Sequence, residues 1–152
     1  MAARVAIVTG AGQGMGRAVT MKLASDGARI VVNDVNDEAA DRTVAQVTDA
    51  GGEAVAITGD VTSSNDVKQM VDGALTKFGS VDILVNNAGV LRPTKVIDIE
   101  EDEWDWVIGV NLKGTYLCSR AVLPPMQKAG WGRIVNFSST AGKSTSTVGG
   151  AH

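Results

Sequence analysis

The chain has 152 residues, enough for one domain that buries a real core. Apolar residues make up 44% and charged residues 20%, a globular composition, and a net charge of −3 argues against nucleic acid or an anionic membrane as partner. A single cysteine forbids an intrachain disulfide, no apolar run reaches membrane-span length, and nothing at the N-terminus reads as a signal peptide. A reducing, cytoplasmic setting is therefore expected, with no metal site.

The first element, "RVAIVT" (4–9), is a short β-branched run closed by glycine and predicts a buried strand. "GMGRAVTMKLASDG" follows as a helix, with Val19, Leu23 and Ala24 on one side and Gly27 as the stop. "ARIVVND" is a second strand, and "NDEAADRTVAQVTDAGG" a second helix, acidic in its first turn. "EAVAITGD" is a third strand, and "SSNDVKQMVDGALTKFG" a third helix with Ser63 or Ser64 as N-cap. "VDILVNNAG" is a fourth strand. One long helix is expected from about residue 100 to about residue 128, and then "WGRIVNFSS" as a fifth strand.

Strands alternating with helices of this length predict an α/β fold, a doubly wound parallel sheet with right-handed crossovers. Ligands of such sheets bind beyond the carboxyl ends of the strands, where strand order reverses. The residues just after each strand therefore carry the functional reading.

After the first strand stands "TGAGQGMG". Gly10, Gly14 and Gly16 let the backbone approach a phosphate, and the helix that follows offers unpaired N–H groups and a positive dipole end. The spacing fits neither the plain G-x-G-x-x-G pattern nor the nucleoside-triphosphate P-loop. A glycine turn without a ligand is the competing reading. After the second strand, Asp34 can accept from an adenosine ribose 2′-OH and would repel a 2′-phosphate; it could instead cap the next helix, a task open also to Asn36 or Asp37. Gln13 supplies no cation to offset a 2′-phosphate, so both positions point to NAD. After the third strand, Asp60 could accept from an adenine amino group while Val61 packs on the ring, or Asp60 could be a solvated loop acid. After the fourth strand, "NNAG" allows local side-chain bonds and close backbone approach.

"TGAGQGMG" and "NNAG", in this order and after these strands, resemble the short-chain dehydrogenase/reductase family, whose pattern is T-G-x-x-x-G-x-G followed by N-N-A-G. Asn111 in "VNLKG" and a serine in "VNFSSTAG" fit the same family, and the resemblance covers the whole chain. It implies one Rossmann-type dinucleotide-binding domain over 1–152, incomplete after the fifth strand. It implies that Gly10, Gln13, Gly14, Met15 and Gly16 hold the pyrophosphate and ribose side of NAD. Asp60 and Val61 would then meet adenine, and Asn87, Ala88 and Gly89 would flank the ribose. It further implies hydride transfer between nicotinamide and a carbonyl or secondary-alcohol carbon, such as a 3-oxoacyl thioester or a polyol. Ser139, with Ser138 as neighbour, would polarise the carbonyl, Asn111 would order a proton relay, and the protein would be a homo-oligomer.

One family feature is absent. A Tyr-x-x-x-Lys is expected about a dozen residues after the serine, and the sequence ends at His152 where that Tyr would stand. "YLCSR" mimics the motif, but Tyr116 belongs to the helix before the fifth strand and Arg120 does not readily lose a proton. Tyr116, Trp104, Trp106 and Trp131 read as packing residues, Cys118 as a buried helix residue, and His152 as a frayed end. The 152 residues alone are expected to be inactive or nearly so, with "RIVNF" (133–137) an incompletely covered edge strand. The alternatives are a non-catalytic dinucleotide-binding module and, from the glycines and Asp34 alone, an S-adenosylmethionine methyltransferase, which would need neither "NNAG" nor the serine loop.

Overall fold

Short runs of β-branched and small apolar residues form the five strands of a computed structural model that describes residues 3–139. The strands are β1 (Val5–Thr9), β2 (Arg29–Asn33), β3 (Glu53–Ala56), β4 (Ile83–Asn86) and β5 (Arg133–Asn136). They pair in parallel in the order β3-β2-β1-β4-β5. The chain steps outward from β1 to β3 and returns to the other side of β1, so strand order reverses between β1 and β4. A crevice opens there at the carboxyl ends.

Alternation along β1 explains why every one of its residues is buried. Val5 and Ile7 face α3 (Ser64–Phe78) and α5 (Thr115–Ala129), packing with Met70, Phe78 and Val122. Ala6 and Val8 face the opposite layer, where Val19 and Leu23 of α1 (Gly14–Ser25) and Val44 of α2 (Asp37–Asp49) cover them. The expected N-caps are in place: the Asn36 side chain accepts from Ala39 N, and that of Ser63 accepts from Asp66 N.

The amino ends of β1 and β4 are locked together. Asp82 Oδ1 accepts from Arg4 Nη1 at 2.9 Å, and its Oδ2 accepts from Val5 N at 2.8 Å and Ser80 Oγ at 3.0 Å. The Arg4 guanidinium in turn lies 3.8 Å from the centroid of the Trp131 ring.

The long helix expected over residues 100 to 128 is three pieces. These are α4 (Glu101–Ile108), a π-helical turn (Gly109–Gly114) and α5. β5 is an edge strand among the described residues, pairing with β4 alone, and Val135 on it is 48% exposed.

Candidate functional site

A cleft of about 610 Å³ opens at the carboxyl ends of β1, β2 and β4. One wall is the glycine turn, with Gly10, Gln13, Gly14, Met15 and Gly16; Asp34, Asp60 and Val61 line it after β2 and β3, and Asn87, Ala88 and Gly89 after β4. The residues singled out at four strand ends thus share one cavity.

Thr9 and Asn87 bring the turn and the "NNAG" segment together. Thr9 Oγ1 accepts from Asn87 N at 3.1 Å and Ala88 N at 3.0 Å. Asn87 Nδ2 donates back to the carbonyls of Thr9 at 2.9 Å and Gly10 at 3.0 Å. This contact leaves no room at Gly16, where a Cβ would stand 2.2 Å from the Gly10 oxygen and 2.5 Å from Asn87 Nδ2. Gly10 has φ +61, and a Cβ there would meet Ala88 Cα at 2.8 Å. The two motifs are halves of one hydrogen-bonded unit.

The Asp34 carboxylate is held open to the cleft rather than spent on capping α2. Its Oδ2 accepts from Gly12 N at 2.9 Å and its Oδ1 from Asn36 N at 3.1 Å, while Asn36 supplies the cap. A Cβ at Gly12 would lie 2.8 Å from Asp34 Oδ2, so the glycine admits the carboxylate. Asn33 Nδ2 donates to the Ile57 and Gly59 carbonyls at 3.0 and 3.1 Å, tying the loop after β3 to the end of β2. In that loop Asp60 Oδ1 accepts from Thr62 N at 2.8 Å, and Asp60 N donates to Asp66. The Asp60 N–H and the Ser63 hydroxyl hold Asp66 below the usual carboxylate range. Val61 lines the cleft but is only 6% exposed, because its methyls pack against Gly114 of the π-helical turn.

The two residues expected to do chemistry lie outside this cavity's lining. The Asn111 side chain bonds the Val90 backbone twice, accepting from Val90 N at 2.8 Å and donating to Val90 O at 2.9 Å. Its own carbonyl accepts from Thr115 Oγ1 at 2.9 Å. Ser138 and Ser139 follow β5 at the same carboxyl edge, and both are exposed. His152 lies outside the described residues.

Several packing expectations need correction. Tyr116 is 56% exposed on α5, accepting from Arg120 Nη1 at 3.4 Å, because its position faces away from the sheet. Trp104 and Trp106 are 48% and 41% exposed, since α4 buries only Val107, and Trp106 lines the cleft. Trp131 stacks with Arg4 and Arg133. Cys118 is fully buried, as expected, and burial pushes its thiol up to about 12. The sequence reading missed Thr9, Gly12 and Asn33, which build the cleft from behind. Thr9 and Gly12 lie within the quoted motif, but their partners, the Asn87 and Ala88 amides and the Asp34 carboxylate, are distant in sequence. Among the described residues no helix is long and apolar enough to cross a membrane.

Comparison with known proteins agrees with this architecture. The short chain dehydrogenase family matches residues 4–151. A 3-oxoacyl-[acyl-carrier-protein] reductase from Synechocystis is 42% identical over 143 residues, covering 93% of this chain and 58% of the relative. The peroxisomal multifunctional enzyme type 2 of Drosophila melanogaster is 43% identical, covering 91% of this chain and 24% of that protein. The crystal structure of a short chain dehydrogenase from Mycobacterium avium superposes with a TM-score of 0.86 at 41% identity, over 91% of this chain and 55% of that one. The chain therefore spans 58% or less of the length of these relatives. With its Rossmann-type parallel sheet, its linked glycine turn and "NNAG" segment and this similarity, the chain belongs to the short chain dehydrogenase family of oxidoreductases.

Proposed function

We propose that this chain binds NAD in the cleft and belongs to an enzyme that moves hydride between nicotinamide and a carbonyl or secondary-alcohol carbon. The substrate class is a 3-oxoacyl thioester, a polyol or another secondary alcohol. A cytoplasmic homo-oligomer is part of the same reading. The observation that carries the cofactor choice is the Asp34 carboxylate at the cleft, with no basic side chain among the described residues that line it.

The cavity fits a dinucleotide. A Cβ at Gly14 would meet nothing within 4 Å, so the turn leaves open space beside its backbone. The Gln13 side chain does not cap α1, and a helix N-terminus left this way attracts an anion such as a pyrophosphate. Gly10, Gln13, Gly14, Met15 and Gly16 would hold that group, Asp34 the ribose hydroxyls, Asp60 and Val61 the base, and Asn87 to Gly89 the second ribose. Bound nicotinamide supplies the hydride-accepting or hydride-donating carbon. Ser139 would donate a hydrogen bond to the substrate oxygen, stabilising the charge that develops there. Asn111 would act through Val90, holding the wall beside the reacting groups. Asp34 accepting from ribose contributes about 1.5–3 kcal/mol per charged hydrogen bond, and repels a 2′-phosphate.

Calorimetric titration with NAD and NADP tests this reading. NAD is expected to bind more tightly, and Asp34→Ala to narrow the gap. Equal or tighter NADP binding removes the NAD assignment, and no binding of either removes the dinucleotide site. A second reading, a binding module without turnover, draws on the described residues of the cleft lining, among which there is no Tyr, Lys or His. A missing acid/base costs on the order of 10²–10⁴ in rate. A dehydrogenase assay on simple secondary alcohols is expected to find this 152-residue chain slower by at least that factor than a family member carrying the Tyr-x-x-x-Lys.

A further inference from the structure

Trp106 stands apart from the other aromatic residues. It is 41% exposed, yet it forms part of the cleft wall. The Arg92 guanidinium lies 4.8 Å from its ring centroid and 4.0 Å from Glu103 Oε2. Thr94 Oγ1 donates to the same Glu103 oxygen at 3.1 Å. The segment after "NNAG" is thereby fastened to α4, and the indole is held from one side by a cation.

Trp106, near the end of α4, and Val110, in the π-helical turn, are four residues apart and line the same cleft. Val61, against Gly114, continues that apolar strip. Asp60, next to Val61 in sequence, lines the same cleft. An indole and valines in one lining, with the Asp60 carboxylate next in sequence to Val61, suit a flat heteroaromatic ring carrying an exocyclic amine. We propose that Trp106 is a cofactor-binding residue, an aromatic wall for the adenine end of the dinucleotide, with Arg92 as its positioning residue. This deepens the cofactor reading above and rests on it.

Fluorescence and calorimetry test the assignment without any turnover. The chain has three tryptophans, so Trp104→Phe with Trp131→Phe leaves Trp106 as the sole reporter. Adenosine monophosphate is expected to change its emission saturably, and nicotinamide mononucleotide is not. In the otherwise native chain, Trp106→Ala is expected to raise the dissociation constant for adenosine monophosphate about tenfold, within the range of base–aromatic stacking. Trp106→Phe should keep most of the affinity, and Arg92→Gln should weaken it by a smaller factor. Trp131 stacks with two arginines, so the calorimetric series, which leaves it intact, decides the matter if the reporter variant does not fold. Circular dichroism confirms that the Trp106 variants are folded. Parental affinity in Trp106→Ala, or an emission change with nicotinamide mononucleotide alone, overturns the inference while leaving the dinucleotide site in place. A parent chain that binds neither NAD nor adenosine monophosphate overturns the site itself, and the inference with it.

Discussion

Thr9 Oγ1 accepts two backbone amides, and its own proton reaches the Val85 carbonyl at 3.4 Å. Thr9→Val keeps the shape and removes the acceptor, leaving the Asn87 and Ala88 amides without it. Each unsatisfied buried group costs about 1–3 kcal/mol, so denaturant unfolding should show a loss of about 2 kcal/mol or more, which Thr9→Ser largely restores. At the opposite end of the sheet the decisive group is Asp82. Burial opposes its ionisation, but hydrogen bonds from Val5 N–H, Arg4 and Ser80, with the Arg4 charge, outweigh that cost and leave its carboxyl below the ordinary range. A depressed folded value means the stabilisation is complete above the unfolded value near pH 3.9 and is lost as pH falls through the folded one. Asp82→Asn should therefore cost about 1.5–3 kcal/mol at neutral pH, and the gap to the parent should close below about pH 4 in acid-unfolding curves. Cys118 gives a third test. With its thiol at about 12 for lack of solvent, alkylation by iodoacetamide at pH 8 should run at least ~10³-fold slower in the native chain than in denaturant.

The helical stretch over residues 101–129 shows what sequence pattern carries and what it misses. Its extent was legible from the acidic residues at the start, and in the structure it closes at Gly130, with φ +67. The π-helical turn inside it was not, because no propensity scale separates i→i+5 from i→i+4 bonding. The extra residue is set by packing, with Gly114 against Val61 and Asn111 turned to the Val90 backbone. Strand identities were legible because β-branched runs ended in glycine or asparagine at the sheet's carboxyl edge. The cleft was legible for the same reason, since parallel topology gathers those ends on one side. Trp106 was misread because α4 buries only Val107, and sequence alone does not show which face of a short helix meets the sheet. Gly114→Ala tests the packing origin of the π-helical turn. Its Cβ would stand 2.6 Å from Val61 Cγ2, an overpacking expected to cost about 1–3 kcal/mol in thermal or denaturant unfolding. Pairing it with Val61→Ala should recover part of the loss, whereas a purely backbone effect would leave the two costs additive.

Across the whole sheet, protection is unequal. β1 is flanked by β2 and β4 and buried along its length, while among the described residues β5 pairs with β4 only and carries exposed Arg133 and Val135. Two layers of helices cover the sheet, but α1 and α2 lie over β1 to β3, so the same face of β5 is left to solvent at Val135, and Phe137 just beyond it is 41% exposed. An unpaired strand edge beside exposed apolar side chains is a template for pairing with another chain. Hydrogen exchange should rank the strands accordingly, with β1 amides opening only on global unfolding and β5 amides opening at a much lower free energy. The same surface predicts association of this 152-residue chain in solution. Light scattering during size-exclusion chromatography is expected to give a mass above that of the monomer, rising with concentration. Val135→Lys places a charge on the exposed face of the edge strand and should shift the population toward monomer without lowering stability by more than a few tenths of a kcal/mol, because the side chain it replaces is half in water. A monomer at every concentration, with β5 amides as protected as those of β1, would show that this edge is already closed and would defeat the prediction.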